Sequence, residues 1–122
     1  VEPEGFDDVA RSLASGKIER NARMTGSICD AIVTPSPGQI TFPILSRLCG
    51  PGIAVSEDEA MAAMAAAFNR LHIVLEPGWA VALAAALFRP EAVAGPAVIV
   101  VASGGNVDVA LHRKAMERFG AA

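Results

Sequence analysis

The feature that most constrains the fold is an uninterrupted apolar run over residues 97–102. A strand that helices cover on both faces lacks the alternation of apolar and polar residues seen in a half-exposed strand. The run therefore predicts the central strand of a mostly parallel sheet. Ser103-Gly104-Gly105-Asn106 follows it as a turn, and residues 107 to about 118 are predicted to form the last helix.

Helix and strand signals precede this run. Asp7-Asp8 can cap a helix that runs to about Ser15 and ends before Gly16. Ser56 and Glu59 form a capping box ahead of a third helix. That helix carries an apolar stripe of Ala60, Met61, Met64, Phe68 and Leu71.

The remaining segments are assigned from the spacing of their apolar residues and from the residues that end helices and strands. Apolar spacing predicts helices over 39–49 and 79–88, and the second is apolar nearly all round, so it should be enclosed on several sides. Residues 53–55 form a short strand, and 28–33 are either a strand or a buried connection. The result is an α/β arrangement in one domain, 1–122, in which helices flank a partial parallel sheet. One long strand makes a poor sheet, so the remaining strands are expected outside this sequence.

Composition and charge exclude several classes of protein. The net charge is −3 and aromatic residues make up 5% of the chain, which disfavours nucleic acid as a partner. The apolar run 79–88 would rise roughly 15 Å as a helix, about half of a bilayer core, so no membrane span is expected. No signal peptide is recognised. Cys29 and Cys49 are expected to be reduced, buried thiols, and the protein to be cytoplasmic.

Three places could carry chemistry. Ser103-Gly104-Gly105-Asn106 lies where α/β sheets bind ligands, although a tight capped turn explains the same pattern. Carboxylates at Glu2, Asp7 and Asp8 suit Mg²⁺ or Ca²⁺, and they also suit the start of a helix. Glu76, between two apolar segments, either faces a site or is an exposed loop acid.

No catalytic nucleophile or base stands out in the sequence. His72 and His112 lack partners at the spacing of a triad or a zinc site. The two lysines, Lys17 and Lys114, lie in polar or charged surroundings, whereas a lysine that reacts with a carbonyl needs a desolvated or electrostatically tuned setting. We therefore expect no catalytic residue within this chain.

Six motifs follow one another along the chain: Val1-Glu-Pro-Glu-Gly-Phe-Asp-Asp8, Ile28-Cys-Asp-Ala31, Thr41-Phe-Pro43, Val55-Ser-Glu-Asp-Glu59, Leu75-Glu-Pro-Gly78 and Ala102-Ser-Gly-Gly-Asn-Val-Asp108. Taken together, they resemble one enzyme family, the fold-type II pyridoxal-phosphate-dependent threonine/serine dehydratases and serine racemases. The resemblance extends over essentially the whole chain and corresponds to the C-terminal portion of the large domain.

The resemblance implies a cofactor site for pyridoxal phosphate. Ser103 matches the serine that hydrogen-bonds the pyridine nitrogen, and Gly104 and Gly105 would let the backbone pass beside the ring. Glu76 matches a glutamate near the ring. A neutral hydroxyl partner leaves the ring a weaker electron sink than an aspartate would, which suits β-elimination.

The resemblance also implies a Mg²⁺ or Ca²⁺ site and an incomplete enzyme. Glu2, the carbonyl of Phe6 and Asp8 match the cation ligands. The cofactor-binding lysine and the glycine-rich phosphate loop of the family have no match here. The chain is thus expected to be a fragment that is inactive without the N-terminal part of the same enzyme.

The complete enzyme would convert L-threonine or L-serine to a 2-oxo acid and ammonia, and would be a homo-oligomer. Serine racemase or 3-hydroxyaspartate dehydratase is the same-fold alternative. A different interpretation is a non-catalytic α/β module that associates with itself through an exposed sheet edge.

Overall fold

The computed structural model describes residues 1–93 and 95–121. Five α-helices and two short strands organise the described residues. In chain order these are β1 (Glu2–Pro3), α1 (Asp8–Ser15), a 3-10 turn (Asp30–Ile32), α2 (Thr41–Leu48), β2 (Ala54–Val55), α3 (Glu57–Ala66), a π-helical turn (Ala67–Leu71), α4 (Pro77–Phe88), a 3-10 turn (Pro90–Ala92) and α5 (Val109–Phe119).

The two strands form a parallel pair. Glu2 lies opposite Ala54 and Pro3 opposite Val55. The Glu2 N–H donates to the Ile53 carbonyl at 2.9 Å, and the Glu4 N–H donates to the Val55 carbonyl at the same distance. This confirms the predicted α/β class, in which helices flank a partial parallel sheet.

The core is built where α3 packs on the alanine-rich helix α4 on one side and on α5 on the other. Ala60, Ala63, Ala80 and Ala84 are each completely buried, so the helix axes can approach closely. α4 also contacts both strands and the 3-10 turn at Asp30–Ile32. The prediction that α4 is enclosed on several sides is confirmed.

The sequence signals for helix ends are correct in two cases and wrong in one. The Ser56–Glu59 capping box is present at α3, and Gly16 ends α1 in the left-handed conformation. Asp7 and Asp8, however, do not cap α1. The cap comes from Glu2, whose carboxylate accepts the N–H groups of Val9 at 3.0 Å and Ala10 at 2.7 Å.

The apolar stripe of the third helix is only partly buried. Met61 and Met64 are buried, whereas Phe68 and Leu71 are 42% and 58% exposed. The hydrogen bonding changes from α to π at Ala67, which adds a residue to the turn and rotates the later side chains off the α3 face.

Residues 97–102 do not form the predicted central strand. Ile99 is 92% exposed and Val101 64% exposed. A strand needs a hydrogen-bonded neighbour, and within residues 1–93 and 95–121 no backbone hydrogen bond joins this segment to another. The apolar side chains of residues 97–102 are therefore not buried in a sheet, as their pattern would require.

The other segments agree with the sequence in type. Residues 28–33 are a connection with a 3-10 turn and not a strand, and they are only partly buried: Cys29 is buried, whereas Asp30 and Ala31 are exposed. α2 forms as predicted, yet Ile40 just before it and Ile44 and Leu48 within it face solvent.

The two cysteines differ in environment. Cys29 is buried, as predicted, and burial raises the pKa of its thiol to about 11. Cys49 is exposed because it follows the end of α2, so the prediction of a buried thiol is wrong there. Within the described residues, no helix has both the length and the apolar character needed to cross a bilayer.

An acid-sensitive ion pair joins α3 to the end of α4. Burial by itself would raise the pKa of Glu59, but hydrogen bonds from the Ser56 backbone and from the Arg89 guanidinium lower it below its ordinary value. Arg89 binds both carboxylate oxygens of Glu59. A depressed folded-state pKa contributes stability that is present above the unfolded-state pKa and is lost as pH falls.

We predict that Glu59→Gln lowers the free energy of unfolding at pH 7 by about 1 kcal/mol, because the capping amide remains and the ion pair is lost. Urea unfolding at pH 7 and pH 3 should show a smaller difference between variant and wild type at pH 3. Glu91→Gln, at an exposed position, is the control. An equal difference at both pH values would contradict the role of the ion pair.

Candidate functional site

The Ser103–Asn106 turn is held at the amino end of α4. The Glu76 N–H donates to the Gly104 carbonyl at 3.1 Å. Glu76 in turn starts α4, since its own carbonyl accepts the N–H groups of Trp79 at 3.1 Å and Ala80 at 3.0 Å. Pro77 occupies the first helical position, where a missing N–H costs nothing. Glu76 therefore links the turn to the start of α4.

Both glycines of the turn are required by close packing against this helix start. A Cβ at Gly104 would collide with the indole ring of Trp79 and lie 2.7 Å from Oε1 of Glu76. A Cβ at Gly105 would lie 2.7 Å from the Val74 carbonyl oxygen. The sequence predicted that the glycines permit a close backbone approach. The approach seen here is to Val74, Glu76 and Trp79.

Glu76 is half-buried and lines a cavity of about 280 Å³. The cavity lies between the start of α4, the Asp30–Ile32 turn and the start of α5. Its polar lining includes Asn106 and Asp108, and Asp108 also caps α5 by accepting the N–H groups of Ala110 and Leu111. Ser103 is exposed. The structure thus brings Glu76 together with the Ser103–Gly105 turn, as one site would require.

Trp79 lies beside the candidate site and is not among the residues that the sequence predicted for it. It is 37% exposed, it packs against Gly104, and it lines a second cavity of about 300 Å³ with Glu2 and Val101. Trp79 is the single tryptophan of the chain and follows Glu76 by three residues, which places both on one face of a helix start. This spacing of three residues is the feature of the sequence that indicates Trp79 as a neighbour of Glu76.

The predicted cation ligands lie together at the start of α1. Glu2 is used as the cap of that helix, and the buried Asp8 accepts hydrogen bonds from Nδ2 of Asn21 at 2.6 Å and Oγ1 of Thr34 at 3.3 Å. Burial, together with the nearby Asp8 charge, raises the pKa of Glu2 even though the Val9 and Ala10 N–H groups lower it. Among the described residues, no group of three or more His, Cys, Asp or Glu side chains could hold a metal ion. The cation site at Glu2, Phe6 and Asp8 stays a prediction.

Neither lysine has the environment that a cofactor-binding lysine needs. Lys17 is exposed and lies 3.7 Å from the Glu19 carboxylate, and Lys114 is exposed on α5. The structure places both side chains at the solvent-exposed surface and not in a desolvated site.

The family to which the chain belongs follows from comparison with known proteins. A family model described as "Pyridoxal-phosphate dependent enzyme" matches residues 1–104, which includes Glu76 and the first two residues of the Ser103–Asn106 turn. The chain belongs to this family.

Relatives within the family have several activities. Serine racemase from Dictyostelium discoideum is 39% identical over 113 residues, which cover 89% of this chain and 34% of that protein. L-threonine ammonia-lyase from Geobacter sulfurreducens is 36% identical over 118 residues, covering 97% of this chain and 29% of that protein. The chain thus spans about a third of the length of the curated relatives it matches.

A solved family structure has the same fold. The crystal structure of T.th. threonine deaminase superposes with a TM-score of 0.81 at 36% sequence identity, over 88% of this chain and 36% of that chain. This likeness confirms the predicted resemblance to fold-type II pyridoxal-phosphate enzymes.

We predict that Gly104→Ala lowers the free energy of unfolding by about 1–3 kcal/mol, because the added methyl group overpacks against Trp79 and Glu76. Gly50→Ala is the matched control, since a Cβ there meets nothing within 4 Å. Urea unfolding of both variants measures the difference. Equal stabilities would show that the turn does not pack against α4 as described.

Proposed function

We propose that this chain is the C-terminal portion of the cofactor-binding domain of a pyridoxal-phosphate-dependent L-threonine/L-serine ammonia-lyase. The reaction removes the β-hydroxyl group and the amino group, and yields a 2-oxo acid and ammonia. One observation carries the proposal: the Ser103–Gly105 turn is fixed against Glu76 in a chain that matches the family over residues 1–104. The proposal includes a cytoplasmic location for the enzyme.

The residues of the turn fit a flat heteroaromatic cofactor. Ser103 is exposed, so its hydroxyl group is accessible to a ring nitrogen, and a hydroxyl can donate as well as accept. Gly104 and Gly105 place no side chain beside the backbone. Glu76 offers a carboxylate at the edge of the neighbouring cavity. When bound, pyridoxal phosphate supplies the electron sink for cleavage at the amino-acid α-carbon.

This chain's residues have a supporting role in that chemistry. Ser103 would position the ring and leave its nitrogen unprotonated, and Glu76 would fix the turn through its backbone. The proton transfers need a lysine in a desolvated site, which neither Lys17 nor Lys114 provides. We therefore propose that the isolated chain is inactive and that the N-terminal part of the enzyme completes the site, in an assembly of identical subunits.

Serine racemase and hydroxyaspartate dehydratase remain the alternatives within the family. A beta-hydroxyaspartate dehydratase from Paracoccus denitrificans is 35% identical to this chain, close to the values for the ammonia-lyase and the racemase. Because these sequence identities are so similar, they do not indicate which substrate the complete enzyme uses. Assays of 2-oxo acid release from L-threonine, L-serine and 3-hydroxyaspartate, with D-serine formation measured in parallel, discriminate the three activities.

We predict that Ser103→Asp in the complete enzyme lowers the elimination rate about tenfold or more, equivalent to about 1.4 kcal/mol of transition-state stabilisation. The carboxylate would favour a protonated ring nitrogen and so change the balance between elimination and other outcomes. Steady-state kinetics, the product distribution and the visible spectrum of the cofactor measure the effect.

Ser46→Asp, at an exposed position on α2, is the control for added charge. An unchanged cofactor spectrum and product distribution in Ser103→Asp would refute the assignment of Ser103. Absence of 2-oxo acid release by the wild-type enzyme from all three substrates would refute the ammonia-lyase proposal itself.

Exposed apolar surface favours a second candidate, in which the chain by itself associates with another copy. The segment 97–101 combines exposed Ile99 and Val101 with backbone groups that pair with no other described segment. Trp79, Leu87 and Phe88 of α4 are also 37–46% exposed. Unpaired extended backbone next to apolar side chains is a template for pairing between chains.

We predict that the isolated chain elutes as a dimer or larger species and that Ile99→Lys shifts it toward the monomer, because a charge on the extended segment opposes pairing. Size-exclusion chromatography with light scattering measures the mass. Val109→Lys, 82% exposed at the start of α5, is the matched control. A wild-type chain that stays monomeric at high concentration excludes this candidate.

A further inference from the structure

Asp8 is a buried carboxylate at the first position of α1. It is 1% exposed, and each of its oxygens accepts a hydrogen bond from a neutral group: Asn21 Nδ2 at 2.6 Å and Thr34 Oγ1 at 3.3 Å. Taking a carboxylate out of water is costly unless its charge is balanced. The start of α1 favours a negative charge at this position, and a nearby cationic group would balance it further.

The Asn21 amide connects Asp8 to a cationic side chain. Its oxygen accepts a hydrogen bond from the Arg11 guanidinium at 2.6 Å, while its nitrogen donates to Asp8 and also to the Thr34 carbonyl at 2.8 Å. Only one orientation of the amide meets all three partners, because the donor lies on one side and both acceptors on the other. The Asn21 amide thus connects the guanidinium to the carboxylate through two consecutive hydrogen bonds. Consecutive hydrogen bonds of this kind polarise one another.

The guanidinium and the amide of this chain of hydrogen bonds are each anchored by further contacts. Arg11 donates to Oδ1 of Asp7 at 3.3 Å and to the Arg20 carbonyl at 3.2 Å. The Asn21 N–H donates to the Pro35 carbonyl at 2.9 Å. The two groups are thus fixed by Asp7, just before α1, and by two carbonyl groups within the 16–40 connection between α1 and α2.

The other carboxylate predicted to bind the cation is occupied as well. Both carboxylate oxygens of Glu2 accept backbone N–H groups of α1, so all four oxygens of Glu2 and Asp8 bind protein donors. A hard cation takes six or more oxygen ligands, and water supplies those that the protein does not. Because Asp8 is 1% exposed and both of its oxygens already accept protein donors, the arrangement around these two carboxylates does not fit a shared, partly hydrated cation.

We infer that the Arg11 guanidinium, acting through the Asn21 amide, balances the buried Asp8 charge in place of a divalent cation. The start of α1 then holds its structure without metal. The inference does not depend on which reaction the complete enzyme catalyses.

The test measures the melting temperature of the purified full chain after EDTA treatment, with and without MgCl₂ or CaCl₂. Wild type should be insensitive to both salts. Asn21→Asp keeps the size of the side chain, but it places a second carboxylate beside Asp8 where the Asn21 amide nitrogen donated a hydrogen bond. We expect its melting temperature to fall by about 5 °C or more, because two neighbouring carboxylates repel each other, and to recover partly with Ca²⁺ or Mg²⁺, which bind between such carboxylates.

Gln39→Glu, at an exposed position, adds the same charge as a control and should remain insensitive to the salts. Two outcomes overturn the inference: a saturable rise in the wild-type melting temperature with Mg²⁺ or Ca²⁺ that Asp8→Asn abolishes, or an Asn21→Asp variant as stable as wild type. If Asn21→Asp does not fold, Arg11→Gln replaces it. A lower melting temperature without a response to cations supports the inference, and an unchanged one overturns it.

Discussion

The close packing of α3 on α4 is the contact on which the rest of the structure depends. Alanines at Ala60, Ala63, Ala80 and Ala84 leave no exposed surface, which lets two helices approach closely without large side chains between them. α5 adds a third layer on α3, and β1 and β2 lie against α4. Because α4 is fixed in this way, Glu76, the residue directly before it, is fixed too. Glu76 then determines where the Ser103–Asn106 turn lies, through its N–H bond to Gly104.

The geometry of the candidate site follows from the packing of the Ser103–Asn106 turn against the start of α4. Trp79 and Glu76 crowd Gly104, and the Val74 carbonyl crowds Gly105, so the turn tolerates only glycine at both positions. The same crowding leaves Ser103 exposed at the end of the segment 97–101. Family membership and the exposed position of Ser103 are the observations behind the cofactor-binding role proposed for this residue. The chemistry of proton transfer lies elsewhere in the proposed enzyme, since both lysines of this chain are exposed in polar surroundings.

Charge in this chain is arranged to stabilise helix ends and buried acids. Glu2 caps α1 from the neighbouring strand, Glu59 closes the capping box of α3 and pairs with Arg89, and Asp108 caps α5. At Asp8 the compensation reaches through two side chains, from Arg11 to Asn21 to the carboxylate. Carboxylates that suggest metal ligands by spacing can thus be explained by protein donors once their neighbours are known.

The sequence by itself determined the features that depend on neighbours along the chain. The capping box at Ser56, the glycine that ends α1, the apolar helix α4 and the family motifs are all local, because helix periodicity and capping act within a few residues. Tertiary structure decided the rest. Glu2 rather than Asp7 caps α1, Trp79 joins the site, and Asn21 reaches Asp8 across thirteen residues, since each depends on where separate segments meet. Residues 97–102 show the limit most clearly. Their pattern specifies a strand, but a strand exists only when another supplies its hydrogen bonds.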